Sequence, residues 1–161
     1  MFIELDGWMA KLRFSASHFI PDHPKCGRLH GHTYAISVRV EGTQAGEFII
    51  DFMELKHIVN EICDRLDHCI LIAKNDPRLK ITQDNGYYTV EIIKSCKHYV
   101  LPGDDVLLLP IPSVSAEDLC TYFIKEISSV LKDGGSADTI TALHVRVDEG
   151  IGQGAGCSMD L

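Results

Sequence analysis

Residues 9–18 read MAKLRFSASH and residues 32–41 read HTYAISVRVE. In the first stretch Leu12, Phe14 and Ala16 alternate with Lys11, Arg13, Ser15 and Ser17. In the second, Ile36, Val38 and Val40 alternate with Ser37, Arg39 and Glu41. A period of two is that of a strand with one buried face. Residues 140–148, ITALHVRVD, repeat it, with Leu143, Val145 and Val147 against His144, Arg146 and Asp148. These three strands imply a sheet with one apolar face, and that face needs a cover.

Two helical patterns supply it. Over residues 52–66, Leu55, Ile58, Val59, Ile62 and Leu66 follow helical spacing, behind a D-x-x-E start at Asp51 and Glu54. From about Ala116 to Lys132 the apolar stripe is Leu119, Tyr122, Phe123, Ile127, Val130 and Leu131, with Ser115 as cap and Gly134-Gly135 as stop. EGTQAGEF, residues 41–48, reads as a turn leading into a short strand that ends at Ile50. The Gly-rich tail GIGQGAGCSMDL is expected to be irregular. Between the helices, residues 72–113 hold the β-rich runs YYTVEII and VLLLPIP, punctuated by Pro77, Pro102, Pro110 and Pro112. This segment reads as an insertion, a small hairpin added to the domain. The order of strands, helix, insertion, helix, strand predicts an α+β domain, an antiparallel sheet with two helices on one face.

The chain has 161 residues, which fits one domain spanning 1–161. At that size it buries roughly 70% of its unfolded surface and needs no disulfide or metal merely to fold. A net charge of -8 argues against a general grip on nucleic acid. No apolar run approaches the roughly 20 residues of a membrane span. The N-terminal MFIELDGWMAKLRF lacks a basic-then-apolar signal pattern, so a cytoplasmic protein is expected. The six cysteines form no C-x-x-C pair, so neither a disulfide framework nor a cysteine-rich zinc knuckle is indicated. Most of them are expected to be buried small apolar residues.

The chemistry concentrates where the strands end. His18 continues the inward parity of Leu12, Phe14 and Ala16, and His32 and Tyr34 continue that of Ile36. If the first two strands pair as antiparallel neighbours, His18 and His32 meet at one end of the sheet on its core side. His30, two residues before His32, points the same way. Three converging imidazoles fit a three-histidine zinc site with an open fourth position, as in catalytic sites. The alternative from spacing alone is an H-G-H turn with solvated histidines.

Cys26 sits four residues before His30, between Lys25 and Arg28, in a polar loop. Nearby positive charge favours the reactive thiolate. Asp67 precedes His68 at the end of the first helix, where a carboxylate can orient an imidazole; plain helix termination is the competing reading. Glu149 carries the inward parity just past the last strand. An acid aimed at the core side needs a partner, either ligand N–H donors or a buried Arg.

These motifs occur in a recognisable order. They are F-x-A-x-H at Phe14–His18, C-G-R-L-H-G-H at Cys26–His32 and I-I-D-F-x-E-L-K at Ile49–Lys56, then L-D-H at Leu66–His68, S-A-E-D at Ser115–Asp118, and Glu149. The ordered set resembles the 6-pyruvoyl-tetrahydropterin synthase and 6-carboxy-tetrahydropterin synthase superfamily. The resemblance implies a tunnelling fold (T-fold), in which trimers join their sheets into a barrel and stack into hexamers with active sites between subunits. It implies that His18, His30 and His32 bind Zn2+. It implies that Cys26 is the catalytic acid/base, working with Asp67 and His68, which can come from a neighbouring chain. It implies that Glu149 anchors a pterin ring.

The spacing C-x-x-x-H-G-H looks like the 6-carboxy branch of the queuosine pathway. The reaction implied is conversion of 7,8-dihydroneopterin triphosphate to 6-carboxy-5,6,7,8-tetrahydropterin, releasing acetaldehyde and triphosphate. Lys25 and Arg28 are the candidate partners of the triphosphate. The long 72–113 segment and S-A-E-D, in place of the family's T-x-E-N, depart from the pattern. They keep two alternatives open: a pyruvoyl-forming or aldolase-type enzyme, and a pterin-binding protein without turnover.

Overall fold

The computed structural model describes residues 1–133 and 139–161. The strands are β1 (Phe2–Leu5), β2 (Arg13–His18), β3 (His30–Gly42), β4 (Ile70–Ala73), β5 (Leu79–Asp84), β6 (Tyr87–Ile92), β7 (Lys97–Pro102), β8 (Val106–Leu109), β9 (Ile140–Glu149) and β10 (Gly154–Asp160). The helices are α1 (Phe52–Leu66) and α2 (Ala116–Asp133). The Gly134-Gly135 stop expected for α2 falls outside the described residues.

The main sheet runs β10-β9-β3-β2-β4-β8, with β1 also paired to β3. Strand β3 is long enough to host two partners on one edge. Its first half pairs with β2 from His30 to Ala35, and its second half pairs with β1 from Val38 to Glu41. The expected parities hold: Phe14, Ala16, His18, Tyr34, Ile36, Val38, Val40, Leu143, Val145 and Val147 are buried. Both helices pack on this face, and their stripes join the sheet residues in one core, except Val130, which was expected in the stripe of α2 and is exposed. At its centre Phe14 stacks on Tyr34, with ring centroids 4.7 Å apart, and on Phe123, at 5.8 Å. Asp51 caps α1 by accepting from the Met53 amide at 2.6 Å, and Ser115 accepts from Asp118 at 3.3 Å.

Several expectations are corrected. The sheet is mixed rather than antiparallel throughout, because β4 runs parallel to both β2 and β8. The tail is not irregular: β10 pairs with β9 from Gly154 to Asp160. Its first glycine faces a neighbouring backbone closely; a Cβ on Gly154 would meet the Val147 carbonyl oxygen at 2.4 Å. The short strand before Ile50 reduces to one bridge between Ala45 and Phe48. Of the six cysteines only Cys63 and Cys120 are buried, and all six are free thiols.

The segment read in the sequence as an insertion holds more than a hairpin. Strands β5, β6 and β7 form a separate antiparallel sheet. It rests on Phe19 and Ile72 through Val90 and Ile92, a second small core. No helix among the described residues is long and apolar enough to cross a membrane.

Candidate metal centre and active site

Register brings the histidines together. In the β2–β3 ladder His18 faces His30, Ala16 faces His32 and Phe14 faces Tyr34. The ring centroids lie 4.6 Å (His18–His30), 5.2 Å (His18–His32) and 4.9 Å (His30–His32) apart. One ligand nitrogen from each lies within 4.8 Å of the other two.

Backbone carbonyls orient two of the rings. His18 Nδ1 donates to the Val114 carbonyl and His30 Nδ1 to the Arg28 carbonyl, each at 2.7 Å. A carbonyl only accepts, so each ring carries its proton on Nδ1 and presents a bare Nε2. This is the outer-sphere pattern that fixes histidine ligands. His18 is 2% exposed, and its Nε2 has no hydrogen-bond partner among the described residues. A buried acceptor left without a donor is costly. An ion held by the three nitrogens removes that cost, so the residues present fit a zinc-type ion.

The electrostatics agree. Burial, reinforced by the neighbouring His30 and His32, lowers His18 to about 4 against the opposing Val114 carbonyl. Burial, then His30, lowers His32 as well. Both rings are therefore neutral, the ligand form, near pH 7.

Glu149 enters from β9, opposite Tyr34. Its Oε1 lies 4.0 Å from His18 Nε2. Burial, with Glu117 adding to it, raises its pKa. Of the two partners considered for it, no Arg lies within salt-bridge reach among the described residues. Tyr34 has the same inward aspect; its fully buried hydroxyl has no partner there and is pushed far above its ordinary range by burial and then by Glu149.

A cavity of about 250 Å³ adjoins these groups, lined by His18, Cys26, His30, Ser115, Glu117 and Glu149 among others. Cys26 thus lies with the histidines and the acid. Lys25 and Arg28 are exposed and do not line it. His23, which reads in the sequence as an ordinary surface histidine, organises the loop: its Nδ1 accepts from the Cys26 amide at 2.9 Å, and its carbonyl accepts from Gly27 at 3.0 Å. Its position three residues before Cys26 was the available signal. Glu117, first noted for its place at a helix start, lines the cavity.

Asp67 and His68 lie elsewhere. Asp67 ends α1, and its carboxylate accepts from the Ser15 amide at 2.6 Å and from His68 Nδ1 at 2.8 Å. The Ser15 amide chiefly, then His68, holds the Asp67 carboxyl below its ordinary value. His68 turns with φ 59°, and its side chain is 85% exposed. It borders a hollow of about 470 Å³ on the other side of the strand ends, beside Ser15, Ser17, His32 and Thr33. Within one chain the pair does not reach Cys26's cavity. A larger hollow, about 640 Å³, lies on the polar sheet face. Among its charges Arg39 pairs with Glu41 at 2.8 Å and Arg146 with Asp148 at 2.7 Å, but the cluster of metal-ligating side chains lies at the histidine cavity, which is the better site.

Comparison with known proteins follows the same line. Residues 9–159 match the family model described as 6-pyruvoyl tetrahydropterin synthase. A protein of Methanocaldococcus jannaschii, provisionally named a 6-carboxy-5,6,7,8-tetrahydropterin synthase, is 44% identical over 96% of this chain and 94% of its own length. One from Pyrococcus horikoshii, with the same provisional name, is 35% identical over 84% and 79%. The crystal structure of 6-pyruvoyl tetrahydropterin synthase from Plasmodium vivax superposes with a TM-score of 0.90 at 25% identity, covering 100% of this chain and 99% of that one. The fold is therefore the T-fold, and the chain belongs to the 6-pyruvoyl tetrahydropterin synthase family.

Proposed function

We propose that this lyase-type enzyme converts 7,8-dihydroneopterin triphosphate and one water to 6-carboxy-5,6,7,8-tetrahydropterin, releasing acetaldehyde and triphosphate, as a step toward queuosine-type deazapurines. The observation that carries the reading is the joint placement of His18, His30, Cys26 and Glu149 on one cavity, with His32 completing the histidine cluster. The names of the archaeal relatives favour the carboxylated product.

His18, His30 and His32 would hold the zinc. When bound, the ion supplies Lewis-acid polarisation of the side-chain hydroxyls. Glu149 accepts hydrogen bonds from the pterin ring's N–H groups. Its poorly solvated carboxylate gains more from such donors than an exposed one would. That fixes the ring's orientation before reaction. Cys26 Sγ takes and returns protons as triphosphate leaves and the carbon–carbon bond breaks. Asp67 holds His68 by its Nδ1, leaving Nε2 to relay protons. Because that pair faces away from the cavity, it serves the site of an adjoining subunit in a trimer or hexamer.

Incubation of zinc-loaded protein with dihydroneopterin triphosphate tests this. Carboxylated pterin and acetaldehyde are the expected products. A pyruvoyl or hydroxymethyl pterin would transfer the protein to the alternative chemistry. Tight binding without turnover would make it a pterin-binding protein.

A further inference from the structure

We infer that the inserted sheet of β5, β6 and β7 positions the loop that carries Cys26, with Lys97 and Tyr99 as its contact residues. The inference rests on the reading of Cys26 as a catalytic residue.

The loop joins His18 to His30. Within itself it is closed by the Ile20 amide, which donates to the Cys26 carbonyl at 2.7 Å, and by the bonds to His23. The insertion then holds it from outside at three points. Arg78 Nη1 donates to the Pro21 carbonyl at 3.0 Å. Lys97 Nζ donates to the Gly27 carbonyl at 3.3 Å. Tyr99 Oη accepts from the Leu29 amide at 3.3 Å.

These anchors are themselves fixed. Arg78 is clasped by the carboxylate of Asp76, which is 4% exposed, with Nε to Oδ1 at 2.8 Å and Nη2 to Oδ2 at 2.7 Å. Lys97 and Tyr99 are two apart on β7, so both project from one face. Lys97 Nζ lies 4.8 Å from the Tyr99 ring centroid, and the Tyr99 ring lies 5.2 Å from Phe19, where the loop begins.

The braced carbonyl belongs to Gly27, next to Cys26. No side chain fits at that position, because a Cβ would come 2.5 Å from the His23 carbonyl oxygen. At Gly27 the loop therefore has no side chain of its own to pack, and the insertion adds outside contacts to the bonds within the loop. Proton transfer depends on sub-ångström placement of the thiol. An insertion that contributes no residue to the cavity lining thus has a defined task.

The test uses full-length, zinc-loaded protein carrying Lys97→Met and Tyr99→Phe. Each change removes one loop contact and keeps most of the apolar bulk. Amide exchange by mass spectrometry should rise about three- to tenfold for peptides over residues 19–30, the loss expected for one or two net hydrogen bonds. Peptides of β9 should not change. With dihydroneopterin triphosphate, kcat should fall about tenfold while KM stays within about twofold, since placement and not binding is lost. Zinc content should be unchanged, and Lys97→Arg should retain kcat because it keeps the donor.

Unchanged exchange over residues 19–30 overturns the inference, as does a rise shared equally by β9. Raised loop exchange with unchanged kcat also overturns it, provided Cys26→Ala is inert. If Cys26→Ala keeps its turnover, the catalytic reading fails instead, and the exchange data still decide whether the insertion braces the loop.

Discussion

The two sides of the β2 and β3 strand ends are built on opposite principles. On the core side His18, Tyr34 and Glu149 are withdrawn from water, and two of their polar atoms lack partners among the described residues. On the other side Asp67 and His68 are paired, hydrogen-bonded and largely in solvent. The first group is costly in isolation and makes sense around a ligand. The second is stable as it stands and makes sense as a projection offered to something else. One chain therefore carries two clusters of different character, one lining the cavity beside Cys26 and one bordering a separate hollow that His32 also reaches.

Cys26→Ala is the strongest way to break this contrast. It should remove turnover by about a thousandfold, the scale of a lost acid/base group, while leaving zinc content and thermal midpoint unchanged. Retained turnover in product assays would strip the core side of its proposed chemistry. Next, His18→Ala should abolish the uptake of about one zinc per chain, read by elemental analysis of native protein, because the three imidazoles are the minimum donor set here. Zinc retained at the same stoichiometry would mean that the cluster is not the metal centre.

Acid sharpens the comparison further. In metal-free protein His18 titrates at about 4, against 6.5 in an unfolded chain. Below pH 6.5 the unfolded state binds a proton that the folded state refuses, so stability is full above 6.5 and falls as pH drops toward about 4. The loss is on the order of 3 kcal/mol. Asp67 is depressed instead, so its contribution is intact above the ordinary carboxylate range and lost only as pH falls below it. Urea midpoints measured against pH should lose the upper slope in His18→Gln and the lower one in Asp67→Asn. An unchanged slope between 6.5 and 4 in His18→Gln would contradict the burial argument.

The smallest effect is expected from Asp67→Ala. The Ser15 amide loses its acceptor at a half-exposed site, at a cost of about 1 kcal/mol in urea unfolding. A cost several times larger would mean that Asp67 belongs to the structural core.

Much of the core side was legible because alternation carries information about faces. Leu12, Phe14 and Ala16 fixed where His18 points, and Ile36 and Val38 did the same for His32. Strands without alternation were missed. Buried parallel strands such as β4, ILIA, have no polar face to mark them, and β8 was absorbed into the insertion. Strand β10, GAGCSMD, has no β-branched residue, and its pairing is dictated by the backbone of β9. The opposed placement of Asp67–His68 and Cys26 was legible only through the family resemblance, because it depends on a turn at His68 with φ 59° that spacing does not encode.

The central claim is that the two half-sites act on one substrate when subunits join. Cys26→Ala and His68→Ala proteins should each be nearly inert. Refolded together from denaturant, they should regain turnover of dihydroneopterin triphosphate well above the sum of the separate proteins, because some interfaces then combine an intact Cys26 with an intact His68. A mixture no more active than that sum would contradict the account.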